Sequence, residues 1–215
     1  MSKDRAALQP RKSPVQARSS ATVEALHIAA VQVLMREGLG RCTTTRVAVR
    51  AGTSVGSLYQ YYPNRDALLA AILKRHLDGI ADACARVCRE QQGRPVSDMA
   101  SVLVRAFLAA KLRDPEESKA LYAVAAERGG AELCAHAQAR MAASITDMLA
   151  SAVDVHFDDP AMTAMIALNA MIGPVRAVLE GMASAGTEDG LEAQLTLLLA
   201  SFFQAHPRRM TAVSP

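Results

Sequence analysis

TTTRVAVRAGTSVGSLYQYYPNR, residues 43–65, is the stretch that decides the fold. Only 4% of the chain is aromatic, yet three of its four tyrosines (Tyr59, Tyr61, Tyr62) fall within four positions. Gly52 stands between two runs that each read as short helix, 44–51 and 55–61. A glycine there lets the backbone turn with positive φ, a conformation that side chains disfavour. Ala48, four residues earlier, is small enough for two helices to cross closely. Leu58, six residues after the glycine, is an apolar plug holding the second helix on the first, with Val47, Ala51 and Val55 packed around it. Two helices this short are not stable alone, so flanking segments must complete their core.

This spacing matches the helix-turn-helix pattern, in which the second helix enters the DNA major groove and its flanks touch phosphates. Leu58 and Tyr62, four apart, share the buried face. Tyr59 and Tyr61 point about 200° apart on a helix, so both cannot be core. Tyr59, Gln60 and Tyr61 are therefore available to phosphates and base edges. Val55, Gly56 and Ser57 form the N-terminal end of the same helix, where the small Gly56 permits close approach. Thr43, Thr44 and Thr45 start the preceding helix and offer hydroxyls and amides to a phosphate while also capping it. Arg65 adds a fixed positive charge beyond the second helix. Arg46 and Arg50 read equally well as solvated surface.

Over about thirty positions, TTTRVAVRAGTSVGSLYQYYPNRDALLAAIL (43–73) closely resembles the N-terminal domain of TetR-family transcriptional regulators, whose usual pattern is TTxxIAxxAGVSxGxLYxYFxNKxxLL. The departures are Thr53 for valine, Tyr62 for phenylalanine and Arg65 for lysine. The resemblance implies base-proximal roles for Thr45, Val55, Gly56, Ser57 and Gln60, and phosphate contacts for Thr43, Thr44, Tyr59, Tyr61 and Arg65. It also implies a ligand-responsive regulator, most often a repressor. In that mechanism a small molecule shifts the 65–91 helix and spreads two recognition helices that otherwise fit major grooves about 34–36 Å apart on a palindromic operator.

Charge agrees with a polyanion at one end. Residues 1–65 hold ten Lys+Arg against three Asp+Glu, while residues 66–215 hold fourteen against eighteen. A basic first third on an acidic remainder suits nucleic acid, although a basic tail alone would explain part of it. Richness in alanine and leucine favours an all-α protein of about nine helices. Cys42, Cys84, Cys88 and Cys134 show neither disulfide-framework nor CxxC spacing, and the polar start MSKDRAALQPRKSP is no secretory signal. The apolar stretches read as too short or interrupted for a bilayer. The expectation is a cytoplasmic, non-membrane protein with reduced, mostly buried thiols. Cys84 and Cys88, at i and i+4, leave an oxidant-sensing role open.

The chain divides by its punctuation. Residues 1–14 read as a disordered basic tail, 15–64 as the helix-turn-helix domain with a first helix over 15–37, and 65–91 as a connecting helix capped by Asn64. Residues 92–205 read as an effector-binding and dimerisation domain, and 206–215 as a flexible tail. Ser97 or Asp98 is expected to open the next helix, ending near Arg113. Asp114-Pro115 and Asp159-Pro160 pair an N-cap carboxylate with proline at the first helical position. Glycines 129–130 separate helices over 116–128 and 131–152, and Thr187 with Glu188 and Asp189 caps the last helix. In the first helix Ala25, Ile28, Ala29, Val31, Gln32 and Met35 keep near-helical spacing.

The second half carries no motif as sharp. Helices over 160–183 and 188–205 are apolar all round, so one face can serve the core and the other needs a partner. A homodimer through these helices would mirror a palindrome. Phe107, Glu127, Arg128, His136, Asn169 and Arg176 are candidates to touch an effector, with methionines such as Met99, Met141, Met148 and Met165 as possible lining or ordinary core. Catalytic motifs such as GxGxxG and HExxH are absent, no metal-ligand spacing is found, and no cofactor is expected. Acidic pairs at helix starts are explained by helix dipoles. The alternative to a ligand-responsive regulator is an effector-independent DNA-binding or adaptor protein.

Overall fold

The computed structural model describes residues 17–127, 129–183 and 187–208. Among these there are nine α-helices and no strand, the one β feature being an isolated bridge between Val155 and Arg208. The helices are α1 (Ala17–Glu37), α2 (Thr44–Arg50), α3 (Val55–Tyr61), α4 (Arg65–Glu90), α5 (Val96–Lys111), α6 (Pro115–Ala125), α7 (Gly130–Ala150), α8 (Pro160–Leu179) and α9 (Thr187–Gln204), with a short 3-10 turn at Leu39–Arg41. The expected tail at 1–14, residues 15 and 16, residues 209–215 of the expected tail at 206–215, and the side chains of Thr187, Glu188 and Asp189 lie outside the described residues. Residues 206–208 are described, with Pro207 O accepting from His156 N at 2.8 Å.

Two compact units emerge. The first combines the described part of Met1–Leu77 with Glu116–Ala135, and the second combines Asp78–Pro115 with His136–Pro215. Residues 116–135 join the first unit because α6 is amphipathic and places Leu121 and Val124 in its core. There they share one apolar cluster with Leu26, Val33, Leu34, Val47, Leu58, Leu68 and Ile72.

The buried stripe of α1 differs from the expected one. Leu26, Ala29, Ala30, Val33 and Leu34 face the core, while Ile28 and Met35 are 50% and 40% exposed. This helix is apolar around most of its circumference, so spacing alone fits two faces. The face that turns inward shares one apolar cluster with Val47 on α2 and Leu58 on α3.

Helix ends follow local chemistry. Asn64 Oδ1 accepts from Ala67 N at 2.8 Å, and Asp159 Oδ1 accepts from Met162 N at 2.8 Å, as the sequence implied. Helix α5 begins one residue before the expected cap: Pro95 is its N-cap and supplies no side-chain bond. The orphan amide of Val96 is taken instead by Asp154 Oδ1 at 3.0 Å, a carboxylate 58 residues away. Between α6 and α7, a Cβ on Gly130 would stand 2.3 Å from the Ala125 carbonyl oxygen, so no side chain fits there.

In the second unit α9 packs along α5 and α8. Its buried stripe is Leu191, Leu195, Leu199 and Phe203, one residue per turn, and Phe107, Ile145, Met148 and Met171 are buried in the same unit. Contrary to expectation, α8 is long and apolar enough to cross a membrane by length and composition. Its buried face, Ala164, Ala167, Leu168, Met171 and Val175, is nevertheless that of a helix in a protein core. Arg140 joins α7 to α4, donating to Asp78 Oδ1 at 2.8 Å and to Asp82 Oδ1 at 2.6 Å.

Candidate nucleic-acid interface

Gly52 takes φ 66°, and the chain turns there with Thr53 N donating to Ala48 O at 3.0 Å. Ala48 and Leu58 are both fully buried, which seats α3 across α2. The seat fixes which side chains face outward. Gln60, Gly56 and Thr45 are exposed, Tyr59 is 41% exposed, and Val55, Ser57 and Tyr61 are half-buried.

Local caps hold these groups in place. Ser54 Oγ accepts from Ser57 N at 3.0 Å and lies 2.9 Å from Ser57 Oγ, so the start of α3 is pinned by its own serines. Thr43 Oγ1 accepts from Arg46 N at 3.3 Å as the N-cap of α2. Tyr59 Oη lies 3.3 Å from Thr44 Oγ1, joining the two helices at their outer edge. Tyr61 Oη accepts from Ser19 Oγ at 3.2 Å, and its ring packs against the core cluster. A row of hydroxyls therefore runs over the same face as the start of α2 and the exposed side of α3. Such a row offers a duplex neutral hydrogen-bonding groups beside two capped helix starts.

Arg65, expected to grip a phosphate, donates within the chain: its Nε to Cys42 O at 2.8 Å and its Nη2 to Leu39 O at 2.6 Å. The planar fork of a guanidinium suits two neighbouring carbonyls. Those carbonyls belong to the 3-10 turn that leads into Thr43, so Arg65 fastens the start of α2 from behind. Arg46 pairs with Glu37 and Arg50 Nε donates to Gln32 at 2.7 Å, so both brace α2 against α1.

Residues 28–72 match the family described as bacterial regulatory proteins, tetR family, and residues 95–211 match the tetracyclin repressor-like C-terminal domain. The chain belongs to the TetR family. It is a DNA-binding transcriptional regulator of helix-turn-helix type.

Solved structures agree in fold. A protein assigned to the TetR family from Mesorhizobium loti has 16% identity and a TM-score of 0.73, over 89% of this chain and 99% of that one. SmeT in complex with triclosan has 22% identity and a TM-score of 0.65, over 83% and 90%. The fatty acid degradation regulator FadR from Bacillus halodurans has 14% identity and a TM-score of 0.66, over 92% and 99%. The family, and the neighbours from Mesorhizobium loti and Bacillus halodurans, are regulators rather than enzymes.

The candidate effector residues of this TetR-family regulator differ in burial. Glu127 is exposed in the first unit, and Arg128 lies outside the described residues. In the second unit Phe107 is buried, whereas His136, Asn169 and Arg176 are exposed. Asn169 and Arg176 share one face of α8 with Met162, Met165 and Ile166, a face turned away from the helix's own core. Arg176 is paired with Glu180 at 3.0 Å. A group of three or more metal-binding side chains is absent among the described residues. Burial pushes the Cys84 and Cys88 thiols up to about 12, so neither carries the thiolate that oxidant sensing needs.

Sequence reading missed the groups that hold the site. Ser19, behind Tyr61, lies in a helix with no motif. His27, buried behind Tyr62, looks like any amphipathic-helix residue until its partner is known. The tyrosine in place of phenylalanine at 62 was the one signal available.

Proposed function

We propose that this TetR-family regulator is a cytoplasmic repressor that binds a palindromic operator as a homodimer and is released by a small molecule. The outward face of α3 with the start of α2 carries the reading. Thr45, Val55, Gly56, Ser57 and Gln60 approach bases, and Thr43, Thr44, Tyr59 and Tyr61 take phosphates. Arg65 holds their frame. We place the DNA-binding domain at 15–64, the connecting helix at 65–91 and the effector and dimerisation domain at 92–205.

Two apolar faces support the homodimer. Met162, Met165 and Ile166 on α8, and Leu197 and Leu198 on α9, are 43–61% exposed, and each set lies on one side of its helix. Asn169 and Arg176 then border the dimer face rather than a ligand. For the effector, the triclosan bound by SmeT points to a small organic molecule. Phe107 and the methionines buried in the same unit would supply an adaptable apolar lining for it. Residues 116–135 offer a route for release, because they fold with the DNA-binding helices but are continuous in sequence with the second unit at both ends.

Selecting duplexes from a random-sequence pool with the purified chain, followed by footprinting, tests the reading. A two-fold symmetric protected site is expected, and enrichment of no sequence would refute it. Screening small organic molecules against the bound complex decides between release and the effector-independent alternative.

A further inference from the structure

Tyr62 ends the recognition helix α3 as its C-cap, and its ring fills the core as a phenylalanine would. Its hydroxyl has a separate use. It lies 2.6 Å from His27 Nε2, in a buried position between α1 and α3. The other ring nitrogen, Nδ1, lies 3.4 Å from Arg75 Nη1 on α4. A guanidinium only donates, so Nδ1 accepts, the ring proton sits on Nε2, and Nε2–H donates to Tyr62 Oη. Arg75 is aimed by Glu24, whose two carboxylate oxygens accept from Nη1 and Nη2, the latter at 2.9 Å. That ion pair is about half exposed and contributes little stability by itself. Its effect is to hold the guanidinium at the edge of the imidazole.

We propose that His27 is a positioning residue for DNA recognition, fixing the C-terminal end of the recognition helix to α4 through Tyr62 and Arg75, and doing so only while its ring is neutral. The proposal rests on the DNA-binding reading above and adds a control of it. Protonation would place an Nδ1–H against the Arg75 guanidinium. Glu24 on α1 opposes that repulsion, and Glu117 on α6 also acts on Arg75; Tyr62 on α3 is the remaining group. Burial first, then Arg75, holds the imidazole below its ordinary value. A disturbed arrangement therefore binds the proton more readily than the native one below about pH 6.5, and the native arrangement weakens as pH falls through that range.

The test measures fluorescence anisotropy with two duplexes: the one that the wild-type chain selects from a random-sequence pool, and an unselected duplex of equal length. Wild type is expected to lose about tenfold in affinity for the selected duplex between about pH 8 and about pH 5.5, a shift of roughly 1.4 kcal/mol. Tyr62→Phe should start about tenfold weaker on that duplex at the higher pH. It should show a flatter pH profile and an unchanged affinity for the unselected duplex. His27→Gln, whose amide can donate to Tyr62 and accept from Arg75 without titrating, should bind as wild type at the higher pH and keep its affinity in acid. Tyr62→Phe with wild-type affinity and pH profile would overturn the proposal, even if the glutamine variant fails to fold. Equal losses on both duplexes would overturn it too, since they mark a general defect. A wild-type chain that selects no duplex would refute the DNA-binding reading first and this one with it.

Discussion

Arg65→Gln separates a residue that touches DNA from one that holds the residues that do. The guanidinium makes two charge-assisted bonds, at 2.8 and 2.6 Å, to the Cys42 and Leu39 carbonyls. Each such bond contributes about 1.5–3 kcal/mol when well sheltered. Here the side chain is 30% exposed, so water recovers part of that, and the loss should total about 2 kcal/mol. For a chain of this size the melting temperature should fall by roughly 4–8 °C. Asp66, 3.7 Å from Nη1 and half exposed, adds little.

The salt dependence of binding decides the question. Each phosphate contact adds about 0.9 to the slope of log Kobs against log salt. If Arg65 only fastens the 3-10 turn, Arg65→Gln should weaken binding to the selected duplex and leave that slope unchanged. Arg65→Lys should be nearly as unstable as the glutamine variant, because an ammonium cannot span two carbonyls as the fork does. The opposite pattern would refute this account: a slope lowered by about 0.9 in Arg65→Gln, no loss of melting temperature, and full rescue by lysine.

Further outcomes are expected elsewhere. Gly79→Ala, in the exposed middle of α4 with nothing near its Cβ position, should raise stability by about 0.5–1 kcal/mol in a thermal melt. Gly130→Ala should lower stability by several kcal/mol, roughly the scale of backbone overpacking, because its Cβ would meet the Ala125 carbonyl. Native-state alkylation followed by mass mapping should label Cys134 first and leave Cys84 and Cys88 unmodified near neutral pH. Because their folded pKa values are raised, these two thiols contribute stability below the ordinary thiol value that is lost as pH climbs toward about 12. Ile166→Glu and Leu197→Glu should each give a folded monomer in sedimentation experiments, since both side chains point away from the monomer core. Truncating after 185 would be uninformative, because it removes Leu195, Leu199 and Phe203 from that core.

The helix-turn-helix and the helix boundaries were legible because they rest on local chemistry. Gly52, the Asn64 and Asp159 caps, and the proline starts all act within four residues, which a single sequence displays. The start of α5 was misplaced because Asp154, the carboxylate that takes its first amide, is 58 residues distant. The membership of 116–135 was hidden for a similar reason. Nothing in PEESKALYAVA says whether Leu121 and Val124 will meet α1 and α4 or the helices that follow them in the chain.

The same distinction runs through the site itself. Outward-facing groups such as Tyr59 and Gln60 could be read from the motif, because being left outside needs only the periodicity of one short helix. The groups that hold them depend on contacts between segments 23, 26, 35 and 48 residues apart: Arg65 on Cys42 and Leu39, His27 on Tyr62, and Arg75 on His27. Arg65 shows the consequence most clearly. A cation placed just beyond a recognition helix has two chemically sensible partners, a phosphate on one side and the chain's own carbonyls on the other, and both favour a positive charge. Only the fold decides between them. It does so by bringing the Cys42 and Leu39 carbonyl oxygens within reach of two donors of one planar guanidinium, a match that the single ammonium of the lysine usual at this position makes less well.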